Sequence, residues 1–182
     1  GTVEAQRRHM EMVPLPFLSS CIENCMDSGK DLSKGGAKYN VGPVITGIGL
    51  AVVSNSLAAV KKLVFEDKIC TMDTLVKALK ANWEGYEDLQ QKAKDCPKYG
   101  NDDDYVDDIT IEIANYFYRE IHQYKDVFGS PFLTAFMGIS NYIPMGRVLG
   151  ATPDGRKNGE PSSEGVSPFV GTDRSTPLAA MR

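Results

Sequence analysis

A glycine-rich, β-branched stretch, Val41-Gly42-Pro43-Val44-Ile45-Thr46-Gly47-Ile48-Gly49, runs directly into a helical stripe. Leu50, Val53, Leu57, Val60 and Val64 recur at intervals of 3, 4, 3 and 4, the spacing that lines apolar side chains along one face of a helix. Ala51, Ser54, Ala58 and Ala59 fill in around that stripe, and small residues suit close packing. A short strand and loop feeding a packed helix makes this a mixed α/β chain.

Helices dominate the remainder. Residues 3–12 are polar and helix-compatible. Phe17–Asp27 reads as an amphipathic helix stopped at Ser28-Gly29, where glycine suits the position just past a helix end. Thr71 or Asp73 can cap a helix whose apolar face is Leu75, Val76, Leu79 and Trp83. A shorter helix covers Tyr86–Ala93, and residues 97–105 form a loop. The clearest helix is Val106–Tyr124, with Val, Ile, Ile, Phe and Ile at 106, 109, 113, 117 and 121. After Gly129 the pattern turns extended, over Phe132–Ser140 and Tyr142–Val148. Glycine and proline dominate from Gly150 onward, and no internal repeat is visible.

Charge narrows the function classes. Twenty Lys and Arg face 24 Asp and Glu, for a net charge of -4, which gives no electrostatic reason to hold a phosphate backbone. No stretch reaches the ~20 apolar residues of a membrane span; the longest candidate, Val41–Val53, is broken by Gly42, Pro43, Gly47 and Gly49. Gly1–Arg8 lacks the apolar run of a signal peptide. Neither nucleic acid nor membrane is an expected partner, and a cytoplasmic location is expected. At 182 residues the chain is long enough for one domain. It lacks an initiator Met, and its end, Thr176-Pro177-Leu178-Ala179-Ala180-Met181-Arg182, turns apolar. Both features suggest a piece of a longer polypeptide.

The chemistry-bearing residues give little by themselves. Cys21 and Cys25 would share one helix face with Leu18 and Ile22, but a cluster-binding triplet would need a cysteine at position 28, which is Ser28. Cys70 and Cys96 lie far off, so all four cysteines read as structural thiols, and no metal site is expected. His9 and His122 are isolated. The run Asp102-Asp103-Asp104 with Asp107 and Asp108 fails as a calcium loop: counting from Asp102, the sixth position is Asp107 instead of glycine and the twelfth is Ile113 instead of glutamate. Helix capping near Val106 explains it better, and calcium titration should show no heat. Gly47-Ile48-Gly49 lacks the third glycine of a dinucleotide loop. Pro153-Asp154-Gly155 is a tight turn.

Four blocks nevertheless stand together in order. They are Lys34-Gly35-Gly36-Ala37-Lys38-Tyr39-Asn40; Ser56–Phe65 after the glycine-rich turn; Lys98-Tyr99-Gly100-Asn101-Asp102-Asp103-Asp104-Tyr105-Val106-Asp107; and Ala151-Thr152-Pro153-Asp154-Gly155-Arg156-Lys157 with Gly159-Glu160-Pro161. In this set the chain resembles the glycyl radical enzymes of the pyruvate formate-lyase-like family. That family includes formate acetyltransferases, diol dehydratases, choline trimethylamine-lyase, hydroxyproline dehydratase and arylacetate decarboxylases.

The resemblance implies an α/β fold: a ten-stranded barrel wrapped in helices, of which residues 1–182 would be a helix-rich internal part of the second half, without the glycyl radical domain. It implies anaerobic radical cleavage of a C–C, C–O or C–N bond in a small organic substrate, by a lyase, dehydratase or acyltransferase. The radical would be installed on a backbone glycine by a separate radical-SAM activating enzyme, with no cofactor bound directly by this chain. Further implied partners are the rest of the barrel and a second copy, as a homodimer.

Departures from the family pattern matter equally. Arg147-Val148-Leu149-Gly150-Ala151 only echoes the RVxGY-like radical motif. Gly1-Thr2-Val3-Glu4 echoes the GCVE-like thiyl motif with Thr2 in place of cysteine, and the family's layout makes that echo accidental. The thiyl cysteine and radical glycine are therefore expected outside this chain, which alone should be catalytically dead. The resemblance points to Tyr142, and more weakly to Thr46, as substrate-pocket residues. The rival is a non-catalytic homologue that only binds a partner half. In either case the exposed barrel edges of such a piece should favour self-association.

Overall fold

The structure, a computed structural model, describes residues 1–181. The chain forms two compact units, Gly1–Ile45 with Tyr118–Thr134, and Thr46–Phe117 with the residues from Ala135 onward.

In the first unit, α1 spans Thr2–Met12, as its polar, helix-compatible sequence suggests. A short α2, Pro16–Ser20, begins on a proline, whose missing N–H is no loss at a helix start. The single helix expected over Phe17–Asp27 is interrupted. Asn24 takes a left-handed φ of 76°, and only the short α3, Cys25–Ser28, follows before Gly29. Cys21 and Cys25 therefore do not share a helix face: Cys25 is buried and Cys21 exposed. The break is held from outside the helix, because Asn24 Nδ2 donates to the carbonyl of Gly36 at 3.0 Å. The loop that follows is organised by Asp31. Its Oδ2 accepts from the Leu15 N–H at 2.8 Å and its Oδ1 from the N–H and hydroxyl of Ser33 at 2.8 and 2.7 Å. These bonds, that of the Ser33 hydroxyl foremost, hold the Asp31 carboxyl below the usual carboxylate range.

Two short strands, β1 (Val44–Gly47) and β2 (Leu133–Phe136), pair into a two-stranded sheet. The second unit continues from β1 into α4, Leu50–Val60, and a π-helical turn at Lys61–Glu66. The forecast helix is present, and its forecast face is buried in part: Leu50 is buried and Val60 and Val64 pack against the core. Val53 and Leu57 stay 45% and 47% exposed, whereas Ala51, Val52, Ser54, Asn55, Ala58 and Ala59 are buried. Small side chains let the α4 backbone approach its neighbours closely, so the alanine face packs inward.

Thr71 caps α5 (Met72–Lys80), its Oγ1 accepting from the Thr74 N–H at 3.1 Å. After α6 (Glu87–Asp95) comes α7 (Asp104–His122), which starts beside Asp103; the Asp103 carboxylate accepts from the Tyr105 N–H at 3.0 Å. The core of the unit gathers Ala59, Leu63, Leu75, Ala78, Trp83, Leu89, Ala93 and Cys96. Trp83 lies in that core, although Val76, expected on the same face, is exposed.

The extended segment expected over Tyr142–Val148 is instead a helix, α8. Pro144 falls in its first turn, where proline is tolerated. Gly146 packs against the chain at Glu160-Pro161, where an added Cβ would meet Pro161 Cα at 2.6 Å. Tertiary contact, which a seven-residue pattern does not reveal, selects helix over strand. No helix among the described residues is long and apolar enough to cross a membrane.

Candidate functional site: a stapled turn and the cavity beside it

The segment read from sequence as an ordered turn is densely hydrogen-bonded. The Gly155 N–H donates to the Thr152 carbonyl at 3.1 Å and the Thr152 N–H to the Arg156 carbonyl at 3.0 Å. Thr152 Oγ1 donates to Asp154 Oδ1 at 2.6 Å. Gly155 has a φ of 99°, and a Cβ there would press on Lys94 Cγ at 2.6 Å. Only glycine meets both demands.

Two core side chains hold this turn from below. Trp83 Nε1 donates to the Arg156 carbonyl at 3.2 Å and Gln90 Nε2 to the Gly155 carbonyl at 2.8 Å. The Arg156 side chain, 3% exposed, reaches the other way. Its Nε donates to Thr152 Oγ1 at 3.2 Å and its Nη1 to the Glu160 carbonyl at 2.6 Å. Its Nη2 donates to the carbonyls of Leu149, at 3.0 Å, and Gly150. One planar fork thus binds both sides of the turn, a geometry that the point charge of lysine does not reproduce.

Beside the turn lies a cavity of about 590 Å³, within the range of small-molecule sites. Tyr142 lines it, with Ile143, Phe169 and Val170 as apolar wall and Lys94 and Arg174 as cations. Asp154, Arg156 and Lys98 form part of the same lining. Burial pushes the Asp154 carboxyl up, against the hydrogen bonds from Thr152 and the Arg156 N–H. Burial pushes the Lys98 ammonium down. Lys98 Nζ donates to the carbonyls of Ala93 and Cys96 at 2.7 and 3.1 Å, at the C-terminal end of α6, where a cation meets the negative pole of the helix. The site can hold a small polar molecule between a phenol, cationic donors and an apolar wall.

The site residues expected from sequence divide. Tyr142 faces the cavity, at the first position of α8 rather than on a strand. Thr46 is half-buried in β1 and does not line the cavity. None of the four cysteines lines it either; burial pushes the thiols of Cys96 and Cys70 up, away from the reactive thiolate. Gly150 does not fit a radical-bearing glycine: its carbonyl is tied to Arg156 and the next residue is Ala151 rather than an aromatic. Among the described residues no three His, Cys, Asp or Glu side chains converge as a metal site would need. Arg156, Asp154 and Lys98 were missed. The available signal was an arginine set directly after an Asp-Gly turn, a position where a buried fork can collect loop carbonyls.

The fold has counterparts in known proteins. The family model for pyruvate formate lyase-like proteins matches residues 1–146. The chain is 42% identical over 176 residues to trans-4-hydroxy-L-proline dehydratase of Clostridioides difficile, covering 96% of this chain and 22% of that protein. It is 39% identical over 167 residues to (2S)-3-sulfopropanediol dehydratase of Klebsiella oxytoca, covering 91% and 20%. Its structure matches that of the glycerol-bound B12-independent glycerol dehydratase from Clostridium butyricum with a TM-score of 0.92 and 42% identity, over 96% of this chain and 22% of that one.

These are glycyl radical enzymes. The chain belongs to the pyruvate formate lyase-like family, and it spans about a fifth of the length of those relatives.

Proposed function

We propose that residues 1–182 form part of a glycyl radical enzyme that cleaves a C–C, C–O or C–N bond in a small organic substrate. The chemistry is of the lyase, dehydratase or formate acetyltransferase type, and the alternative reading is a non-catalytic structural or partner-binding homologue. The observation that carries the reading is the 42% identity to hydroxyproline dehydratase sustained over 96% of the chain. On this reading residues 1–182 are a helix-rich portion of a ten-stranded barrel domain. The thiyl cysteine and radical glycine lie outside them, so the chain alone is inactive. The enzyme works anaerobically in the cytoplasm as a homodimer and receives its radical from a radical-SAM activating enzyme.

What this chain contributes is a wall of the substrate pocket. The Tyr142 phenol packs on the substrate and donates to or accepts from one of its polar groups. The apolar side chains Ile143, Phe169 and Val170 exclude water from that contact. Thr46 is the second candidate pocket residue.

The test uses the full-length polypeptide with its activating enzyme under anaerobic conditions. EPR should show a glycyl radical, and trans-4-hydroxyproline, glycerol and sulfopropanediol form the first substrate panel. Tyr142→Phe should raise KM by up to about 10-fold for the accepted substrate, the worth of one neutral hydrogen bond, and Thr46→Val should have a smaller effect. Absence of a radical signal after activation would overturn the enzyme reading in favour of a non-catalytic homologue.

A further inference from the structure

We infer that Arg156 is a positioning residue: it sets where the Tyr142 phenol stands in the cavity. The inference rests on the reading of Tyr142 as a pocket residue, and its argument is the path of hydrogen bonds between the two. The Arg156 backbone is fixed to the core, because Trp83 Nε1 donates to its carbonyl and Gln90 Nε2 to the carbonyl before it. From that anchor the guanidinium takes the carbonyls of Leu149 and Gly150, the first residues after α8. Its Nη1 takes the carbonyl of Glu160. Two residues on, the Ser162 N–H donates to the carbonyl of Tyr142 at 3.1 Å. Both ends of α8 are therefore tied to a single loop, and Arg156 bridges that loop internally.

Little else fixes α8. The helix has seven residues and no side-chain cap at its start, too short to be stable alone. Gly146 is its one buried residue, sitting where the backbone at Glu160-Pro161 leaves no room for a Cβ. The helix thus rests on the same 160–161 backbone that Arg156 holds. If the fork is lost, the carbonyls of residues 149, 150 and 160 are released together, and the helix that carries Tyr142 loses its fixed height over the cavity. Lysine keeps the charge but offers a point donor in place of the fork.

The experiment places 3-fluorotyrosine at position 142, and in a separate sample 5-fluorotryptophan at position 83, by site-specific incorporation in the polypeptide that carries residues 1–182. Fluorine NMR spectra are compared for the parent, Arg156→Lys and Arg156→Ala. The expected result is a shift and broadening of the 142 resonance in both variants, with the 83 resonance unmoved in Arg156→Lys. A 142 resonance unchanged in folded Arg156→Lys overturns the inference. So does parallel collapse of both resonances in both variants, which would make Arg156 a general stability element. Titration of the parent with the substrate panel separates this from the pocket reading: a 142 resonance that responds to Arg156 but to no substrate leaves the positioning role standing and removes Tyr142 from the site.

Discussion

The indole N–H of Trp83 donates to the Arg156 carbonyl at 3.2 Å, and it does so from a residue that is fully buried and holds a φ of 68°. A bulky residue in the left-handed region is strained unless its surroundings over-determine it. Here they do, since Trp83 N donates to the Ala78 carbonyl at 2.8 Å while the ring fills the core. The preceding Asn82, φ 53°, also faces the turn, its Oδ1 accepting from the Asn158 N–H at 2.7 Å. The end of α5 is thus shaped to receive the 152–158 segment.

Trp83→Phe tests this joint. It keeps an aromatic ring but removes one of the two donors to the Arg156 carbonyl, the Thr152 N–H remaining, which costs about 0.5–1.5 kcal/mol, and it leaves a void with a further penalty. Urea denaturation should show a lowered midpoint with an unchanged slope. An unchanged midpoint would mean that the indole bond contributes nothing to stability.

Gly146→Ala tests the seating of α8. The new Cβ would sit 2.6 Å from Pro161 Cα and press on the Glu160 carbonyl, both backbone atoms rather than flexible side-chain tips, so the helix must shift. A destabilisation of about 1–3 kcal/mol is expected from such overpacking, with a change in tyrosine near-UV circular dichroism as α8 moves. A variant as stable as the parent, with an identical near-UV spectrum, would show that α8 does not rest on residues 160–161.

How far the sequence revealed all this depends on what each element leans on. The helix over 50–60 was legible because its 3-4 periodicity is a property of the segment. Its buried face was legible in part: Leu50 and the close-packing Ala51, Ser54, Ala58 and Ala59 are inside, whereas Val53 and Leu57 of the same stripe stay outside, because alanines that pack closely carry less hydrophobic signal than the larger side chains. The Tyr142–Val148 helix and the break at Asn24 were hidden for the same reason: each is decided by a remote partner, the 160–161 backbone in one case and the Gly36 carbonyl in the other. Tyr142 was reached through family likeness. Arg156 was overlooked because turn chemistry describes the backbone of a loop and says nothing of what its side chains grip.

The exposed stripe on α4 leads to a prediction about association. Val53 and Leu57 lie one helical turn apart, each about half exposed (45% and 47%), on a helix whose opposite face is already buried. Adjacent exposed apolar groups of this kind favour contact with another surface. Residues 1–182 expressed alone should self-associate in sedimentation velocity. The double variant Val53→Glu, Leu57→Lys should shift the distribution toward monomer with unchanged far-UV circular dichroism. A parent chain that sediments as a clean monomer at high concentration would refute this.

Asp107 makes stability depend on pH with a sign that can be worked out. Burial chiefly raises its carboxyl pKa, and the carboxylates of Asp103, Asp102 and Asp104 add to the rise. A backbone hydrogen bond with Asp103 works against that rise, but among the described residues the buried Oδ1 has no hydrogen-bond partner. A carboxyl whose folded pKa exceeds its unfolded value, about 3.9, binds more protons in the folded state between those two values. Stability therefore falls as pH rises through that window, and the full penalty is present above it. Asp107→Asn removes the ionised form, so it should melt higher than the parent at pH 7, and the gap should close as pH drops toward the unfolded pKa. Melting temperatures measured at pH 7, 5 and 4 decide the matter. A gap that widens toward acid would mean that the Asp107 carboxylate is stabilised by the fold, reversing the assignment.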